Sequence, residues 1–189
     1  MEDGILNNQK QIRMDPITIR KALSSEIAEL QKIGKQTFFE TFSAFNSQQN
    51  MEKYLEEGFS NWKLAAELDD INSQFYFAEH DNRIIGYLKL NSGTSQTELK
   101  NEKKSLEIER IYVIKEFQGR KVGQLLFDKA LQVANQQNAE FIWLGVWENN
   151  TMAINFYTKN GFIEFDKHIF RLGDAIQTDL LMKLPLKRG

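Results

Sequence analysis

Apolar positions in the first third of the chain recur with the period of an α-helix. On this basis helices are predicted over 24–38, 46–55 and 61–68, and the first two begin at Ser or Asn residues that can cap them. A short strand is predicted before them, over 16–21, with Ile17 and Ile19 on one face. The N-terminal third is therefore expected to be mainly helical.

From residue 74 onwards the pattern changes to the alternation and short apolar runs of β-strands. The segments 74–79 and 84–91 flank the polar turn Asp81-Asn82-Arg83 and predict a hairpin. The polar segment 92–104 predicts a loop. The rest of the chain predicts the order β-α-β-α-β-β, with strands over 105–114, 140–147, 162–171 and 178–184 and helices over 119–137 and 151–160.

The helix predicted over 119–137 carries a regular apolar stripe. Its apolar residues fall at helical offsets 0, 3, 4, 8, 11 and 12: Val122, Leu125, Leu126, Ala130, Val133 and Ala134. The following segment 141–147 is apolar almost throughout, as in a strand that is covered on both faces. A strand, a crossover helix and a buried strand in this order predict a parallel β-α-β unit within an α/β fold.

Length, composition and charge limit the classes of function. The 189 residues, 41% hydrophobic and 26% charged, suffice for one domain, which we expect over 16–187. The absence of cysteine excludes a disulfide framework, a thiolate metal site and a cysteine nucleophile, and two histidines argue against a histidine-rich metal site. We therefore expect no metal. The net charge of −2 argues against nucleic acid as a partner.

Residues 1–15 are predicted to be a disordered leader, since they are polar and Met14 could serve as a start. They lack the apolar core of a signal peptide, and no apolar run in the chain reaches the roughly 20 residues that span a bilayer. These features predict a cytoplasmic protein without a membrane partner.

The turn between the 105–114 strand and the next helix has the composition of a phosphate-binding site. Helix starts present unpaired backbone N–H groups and favour anions. Gly119 and Gly123 let the backbone approach a bulky diphosphate, and Arg120 and Lys121 add positive charge. An ordinary basic helix start is the alternative interpretation.

The 105–114 strand changes the parity of its apolar positions. Leu106 and Ile108 are even, whereas Ile111 and Val113 are odd, and Glu109-Arg110 lies at the change. A β-bulge, which inserts one residue, would account for the change and re-aim the side chains that follow. Burial on both faces is the alternative.

One face of the helix over 151–160 groups three residues suited to a ligand. Asn150, Ala153 and Tyr157 fall at offsets 0, 3 and 7, so the small Ala153 leaves room beside a phenol. Tyr157 could equally be a core aromatic residue whose hydroxyl is hydrogen-bonded.

These two segments resemble the GNAT superfamily of acetyltransferases. The turn is similar to the family pattern Gln-x-x-Gly-x-Gly/Ala, although Lys121 replaces the usual glycine, and the helix is similar to Asn-x-x-Ala-x-x-x-Tyr-x-x-x-Gly-Phe. The resemblance implies acetyl-CoA as cosubstrate. It also implies a mixed, largely antiparallel central sheet that splays between two adjacent parallel strands, with helices on both faces.

The resemblance also implies roles for individual residues. Tyr157 is the expected general acid that protonates the departing thiolate. The residues expected to contact the cofactor, the first three through their backbone, are Ile111, Tyr112, Val113, Gln118, Gly119, Arg120, Lys121, Val122, Gly123, Gln124, Asn150, Phe156 and Lys159.

An acceptor amine must lose a proton before it attacks. With a pKa of roughly 10.4, deprotonation at neutral pH costs about 4–5 kcal/mol, and a carboxylate acting directly or through water can take the proton. Glu107 and Glu109 precede the acyl site on the strand, and we choose Glu109 because it lies nearer the predicted bulge. Glu109 could instead be a structural partner of Arg110 or Lys103.

Further segments resemble one subgroup, the bacterial spermidine/spermine N-acetyltransferases of the Pai type, over about 16–185. The segments are Thr37–Phe42, Asn50–Leu55, Ser105–Tyr112, Ile142–Asn149 and Gln177–Leu180. The resemblance implies a polyamine, acetylated at a primary amine, and Phe42, Tyr54 and Glu107 are candidate substrate contacts.

Several alternatives stay open at this point. The acidic residues between 51 and 70 could attract a polycation or form a solvated helical face, and the stripe Phe38, Phe42, Phe45 could line a site or pack in the core. A peptide or protein N-terminus is an alternative acceptor, and a non-catalytic acetyl-CoA-binding module is a third hypothesis. Edge strands near the C-terminus could support a homodimer.

Overall fold

The computed structural model describes residues 16–100, 102–172 and 175–186, so the predicted leader 1–15 and residue 187 lie outside it. None of the helices within these ranges has the length and apolar character needed to cross a membrane. The elements run in the order β1 (Thr18–Lys21), α1 (Ile27–Phe42), α2 (Gln48–Gly58), α3 (Asn61–Asp69), β2 (Ser73–His80), β3 (Arg83–Ser92), β4 (Ser105–Val113), α4 (Val122–Gln136), β5 (Phe141–Trp147), α5 (Thr151–Lys159), β6 (Ile163–Leu172) and β7 (Ala175–Pro185).

The predicted helices and strands are confirmed, with differences at their ends. Ser47 caps α2 as expected, because its hydroxyl accepts a hydrogen bond from the N–H of Asn50 at 3.2 Å. The helix expected from residue 24 begins at Ile27 instead. The carboxylate of Glu26, just before it, binds Arg20 and the N–H of Leu23, which organises the chain ahead of the helix.

The strands form one seven-stranded sheet in the order β1-β2-β3-β4-β5-β7-β6. Among the described strands, β4 and β5 form the parallel pair and the other neighbours are antiparallel. The parallel pairing ends at Glu107 opposite Trp143, although both strands continue for several residues. The predicted splay between two parallel strands is therefore confirmed.

The parity change in β4 is a β-bulge, as predicted. Lys89 of β3 pairs with Arg110 and Leu90 pairs with Ile108, so Glu109 is the extra residue. Glu109 lies two positions after Glu107, the last residue of β4 that pairs with β5. The first four side chains of β4 are buried and the last five are only half-buried, which indicates that the strand leaves the closed part of the sheet here.

Helices cover both faces of the sheet. On one face, α1–α3 pack over Lys89 and Arg110, and Phe59, after α2, lies under the Arg110 guanidinium at 5.1 Å. On the other face, α4 buries the predicted stripe, including Leu126, Ala130 and Val133. α5 packs beside α4 through the rings of Phe156 and Phe127, 6.1 Å apart.

We predict that Gly34→Ala destabilises the protein, because a Cβ at Gly34 would lie only 2.6 Å from the Cδ1 atom of the buried Phe59 ring. Overpacking of this kind costs about 1–3 kcal/mol, measurable as the free energy of unfolding in urea. Gly123→Ala is the control, since a Cβ placed there meets no atom of the described residues within 4 Å beyond the adjoining residues and the backbone of its own helix. In a helix this change should be neutral or stabilising. Equal stability of the two variants would contradict the packing argument.

Candidate active site

The gap between β4 and β5 exposes backbone N–H groups of β4. The N–H of Ile114 donates to the carbonyl of Ile85 on β3 at 3.0 Å. Successive N–H groups of a strand point to opposite edges, so those of Val113 and Ile111 point away from β3 and into the gap. Two of the three predicted backbone contacts of β4, Ile111 and Val113, therefore border a space that β5 does not fill, whereas the N–H of Tyr112 points towards β3.

The turn before α4 has the backbone conformation of an open anion site. Gly119 has a φ of 76°, and Lys121 has a φ of 65° at the position before the helix, which accounts for the start of α4 at Val122 rather than at Gly119. This left-handed conformation is the one that favours glycine, so the lysine follows the backbone path that the resembling pattern requires. Apart from the adjoining residues and the backbone of α4 itself, no atom of the described residues lies within 4 Å of a Cβ placed on Gly119 or Gly123.

The polar side chains around this turn divide into two groups. Arg120 and Lys121 are exposed at the helix start, where no described side chain caps the first turn. The Gln118 amide instead donates to the carbonyl of Val113 at 3.1 Å, and Gln124 donates to Asp128 and Asn160. The backbone, Arg120 and Lys121 are thus available to a diphosphate, and the two glutamines brace the turn.

The predicted residues of α5 lie on a helix that packs beside α4. Asn150 caps the helix by accepting from the N–H of Ala153 at 3.2 Å, and Lys159 is exposed in the last turn. Tyr157 is 7% exposed, and burial raises the pKa of its phenol. The phenol of Tyr157 lies close enough to Tyr112 of β4 to help raise the pKa of Tyr112, although burial, Tyr87 and Tyr54 contribute more.

Glu109, the bulge residue, is held by two cations. Its carboxylate lies 2.6 Å from the Lys89 ammonium and 3.2 Å from the Arg110 guanidinium, and it also accepts from Asn91. Burial acts to raise its pKa, but the charges of Arg110 and Lys89 outweigh burial and lower the pKa to about 2. Arg110 is one of the two structural partners that the sequence suggested for it.

Glu107 has the opposite electrostatic character. It is 2% exposed and accepts hydrogen bonds from Asn91 and from the N–H and hydroxyl of Thr97. Burial raises its pKa, although the hydrogen bonds from Thr97 oppose the shift. A carboxylate with a raised pKa is better matched to proton transfer near neutral pH.

Sequence reasoning missed the residues that organise these carboxylates. Lys89 is 4% exposed and bridges Glu109 to Glu67 of α3, whose carboxylate lies 3.0 Å from its ammonium. A lysine in the largely apolar strand 84–91 was the available signal, because a buried lysine requires anionic partners.

Gln96 is a second residue that the sequence did not single out. Its buried amide oxygen accepts from Ser105 of β4 at 2.7 Å and from the indole of Trp143 on β5 at 2.6 Å. Its amide nitrogen donates to backbone carbonyls of the 92–104 segment, which was predicted to be a loop. Gln96 therefore ties this loop to the paired end of β4 and β5.

The predicted substrate residues lie on the α1–α3 side of the sheet. Tyr54 stacks on Phe38 with ring centroids 4.2 Å apart, and Phe42 lies 6.0 Å from Trp147. Phe38 is a core residue, whereas Phe45 is exposed. The phenylalanine stripe therefore runs from the core to the protein surface. Tyr54 also lines a groove of about 580 Å³ with seven other residues: Glu57, Gly58, Trp62, Lys63, Ala66, Glu67 and Asp70.

The sequence also matches a family model. The model of the acetyltransferase (GNAT) family matches residues 35–162, which include the gap, the turn and α5. The chain belongs to the GNAT acetyltransferase family. It is accordingly an N-acetyltransferase, and acetyl-CoA, whose diphosphate suits the open turn before α4, is its cosubstrate.

Individual relatives agree with this assignment. The chain is 39% identical over 173 residues, 92% of its length and 99% of the relative's, to an uncharacterized N-acetyltransferase of Lactobacillus delbrueckii subsp. lactis. It is 25% identical over 150 residues, 77% of its length and 88% of the relative's, to the spermidine N(1)-acetyltransferase of Thermoplasma acidophilum.

A solved structure shares the GNAT fold of the chain. The PaiA N-acetyltransferase of Thermoplasma acidophilum, in complex with coenzyme A, has a TM-score of 0.75 and 23% sequence identity. The match covers 91% of this chain and all of that one (100%). This likeness supports the predicted arrangement of sheet and helices.

We predict that residue 121 of this GNAT protein tolerates glycine better than a β-branched residue. Lys121→Val should lower the free energy of unfolding by about 1–2 kcal/mol relative to Lys121→Gly, because of the left-handed φ. Lys121→Gln, which removes only the charge, should weaken acetyl-CoA binding by up to about tenfold in calorimetry. Equal stability of the Val and Gly variants would contradict the backbone assignment.

A second prediction concerns acid stability. Glu109 has a folded pKa of about 2 against an ordinary 4.5, so it contributes stability that is present above about pH 4.5 and is lost as the pH falls towards 2. Glu109→Gln should therefore lower the free energy of unfolding by about 3 kcal/mol at pH 7. Between about pH 4.5 and pH 2, the stability of this variant should fall less steeply than that of the parent protein.

Glu107→Gln is the matched control for this titration. The folded pKa of Glu107 is raised, so its ionisation opposes folding. Removing this carboxyl should therefore not make the loss of stability with falling pH less steep. Urea unfolding of both variants between pH 7 and pH 2 measures the difference. A shallower slope in Glu107→Gln alone would contradict the assignment of the two carboxylates.

Proposed function

We propose that this acetyltransferase moves the acetyl group of acetyl-CoA to a primary amine of a polyamine such as spermidine or spermine. The observation that carries the proposal is the lining of the α1–α3 side of the sheet, where aromatic rings lie close to carboxylates. This is the proposed acceptor side. Phe42, Trp147 and Tyr54 supply the rings, and Glu57 and Glu67 line the adjoining groove. Rings and carboxylates together bind ammonium groups. The name of the spermidine-acetylating relative supports the same class of acceptor.

In this proposal the cosubstrate supplies the acetyl group as a thioester and lies along the gap. The N–H groups of Ile111 and Val113 bind the thioester carbonyl, where donors stabilise the negative charge that develops during attack. The turn 118–123 holds the diphosphate through its backbone, Arg120 and Lys121. Val122, Asn150, Phe156 and Lys159 form the surrounding wall, with Asn150 acting chiefly by capping α5.

Tyr157 is the proposed general acid. Because burial raises the pKa of its phenol, the hydroxyl stays protonated at neutral pH and can donate to the departing sulfur. Phe156 and Phe162 pack against it and limit its access to solvent. The proton on the phenol is then restored from water.

For the base we favour Glu107 over Glu109, acting through water. A carboxylate whose pKa is about 2 holds a proton poorly, and Glu109 is neutralised by Lys89 and Arg110. Glu107 has a raised pKa at the point where β4 and β5 separate. Its deep burial requires a water molecule between the carboxylate and the amine.

A homodimer through β6 is a further part of the proposal. β6 lies at the edge of the sheet and carries the exposed side chains of Ile163 and Ile169. An edge strand with exposed apolar residues is suited to pairing with a second copy.

Steady-state kinetics with acetyl-CoA and a panel of acceptors tests the function. Spermidine and spermine should have higher kcat/KM values than simple monoamines and than peptides with free N-termini. A preference for peptides over every polyamine would overturn the substrate assignment and favour the alternative of N-terminal acetylation.

We predict that Tyr157→Phe lowers kcat by about 10²–10⁴-fold, because only the donated proton is removed. Acetyl-CoA affinity, measured by calorimetry, should stay unchanged. The control is Tyr76→Phe, which removes a hydroxyl that binds Gln74 on β2 and should leave kcat intact. An unchanged kcat in Tyr157→Phe would remove this residue from the acid role, and no turnover in the parent protein would favour a non-catalytic module.

A further inference from the structure

Asp179 is a carboxylate that the functional assignment above does not use. It lies on β7, directly opposite Trp147 of β5 and His168 of β6, so the three side chains share one face of the sheet. Trp147 contacts Phe42 and Phe45, which places this face towards the acceptor side. Asp179 therefore belongs to the same side of the sheet as the proposed amine.

Gly145 places no side chain between Asp179 and the gap. A Cβ on Gly145 would lie 3.7 Å from the Oδ2 atom of Asp179, so the carboxylate extends along β5 to this residue. Gly145 is exposed, although Leu144 and Val146 on either side are buried. Because no side chain stands at this position, the carboxylate faces the region where β4 has left β5.

The surroundings of Asp179 suit a cation. In the part of the chain that the structure describes, no lysine or arginine forms an ion pair with Asp179, although it is half-buried. Trp147 lies opposite it on β5, and the ring of Phe45 lies 4.9 Å from that of Trp147. A half-buried carboxylate beside aromatic faces is the chemistry that binds an alkylammonium group.

The distance of Asp179 from β4 determines which nitrogen of the acceptor it can bind. The nitrogen that attacks must come within about 3–3.5 Å of the acetyl carbon. β7 lies two strands from β4, at about 4.8 Å for each pairing and more across the splay. Asp179 is thus too far from the N–H groups of β4 to hold the attacking nitrogen, but a short alkyl chain spans the remaining distance.

We propose that the carboxylate of Asp179 binds the second, charged nitrogen of a diamine or polyamine while the first nitrogen is acetylated. This inference rests on the proposed function and names the residue that selects a doubly basic acceptor. The second nitrogen remains an ammonium throughout and takes part in no bond change.

The charge state of Asp179 gives the proposal a pH dependence. The groups that face it are His168 from β6, Glu148 after β5 and Tyr54 from α2. Burial raises the pKa of Asp179, which His168 opposes and Glu148 reinforces. Since the carboxylate binds a cation only when ionised, the KM for a diamine should rise as the pH falls through this raised pKa.

The test compares 1,4-diaminobutane with n-butylamine, which differ by one ammonium group. The parent enzyme should prefer the diamine, and Asp179→Asn should lower kcat/KM for the diamine by about 10–100-fold, the range for a hydrogen-bonded charge. Its kcat/KM for butylamine should change by less than about twofold. Glu148→Gln, which removes an exposed charge close to Asp179, is the control and should keep the preference.

Calorimetry with acetyl-CoA verifies that each variant is folded and binds the donor. An unchanged preference in Asp179→Asn, or an equal loss in Glu148→Gln, would overturn the proposal. If Asp179→Asn does not fold, the pH profile of the parent enzyme decides: a diamine KM that stays constant while the pH falls through the pKa of Asp179 would overturn it. Failure of the parent enzyme to acetylate any amine would refute the proposed function instead.

Discussion

The carboxylate of Glu109, held between Lys89 and Arg110, fixes the extra residue at which β4 turns away from β5. A bulge leaves one residue unpaired, and here its charged side chain is anchored by buried partners. Lys89 also binds Glu67, so the same ammonium joins the sheet to α3. The splay, the covering helix and the backbone groups in the gap therefore depend on one buried ionic cluster.

The gap separates two regions of unlike chemistry. On one side the start of α4 presents backbone N–H groups with Arg120 and Lys121, which suit the phosphates of the donor. On the α1–α3 side lie aromatic rings and carboxylates, which suit a cation. In the proposed reaction, an anionic donor and a cationic acceptor would therefore be attracted to different places, and the opened strands lie between these two regions.

Patterns within a single segment of the chain were sufficient for much of this architecture. The period of α4 and the parity change at Glu109 predicted the crossover and the bulge, and the glycines predicted the open turn before α4. The pairing of Lys89 with Glu109 joins residues on two strands, and Gln96 binds Trp143 far along the chain. Such contacts depend on register and burial, which alternation alone does not determine. For the same reason the low pKa of Glu109 could not be foreseen.

The position of Gln96 has a consequence for the energetics of ligand capture. It fastens β4 and β5 together through Ser105 and Trp143, on the closed side of the point where the strands part. Buried hydrogen bonds within the protein itself therefore hold the two strands together up to the place where the opening begins. A preorganised cleft loses little conformational entropy on association, so more of the intrinsic contact energy contributes to affinity.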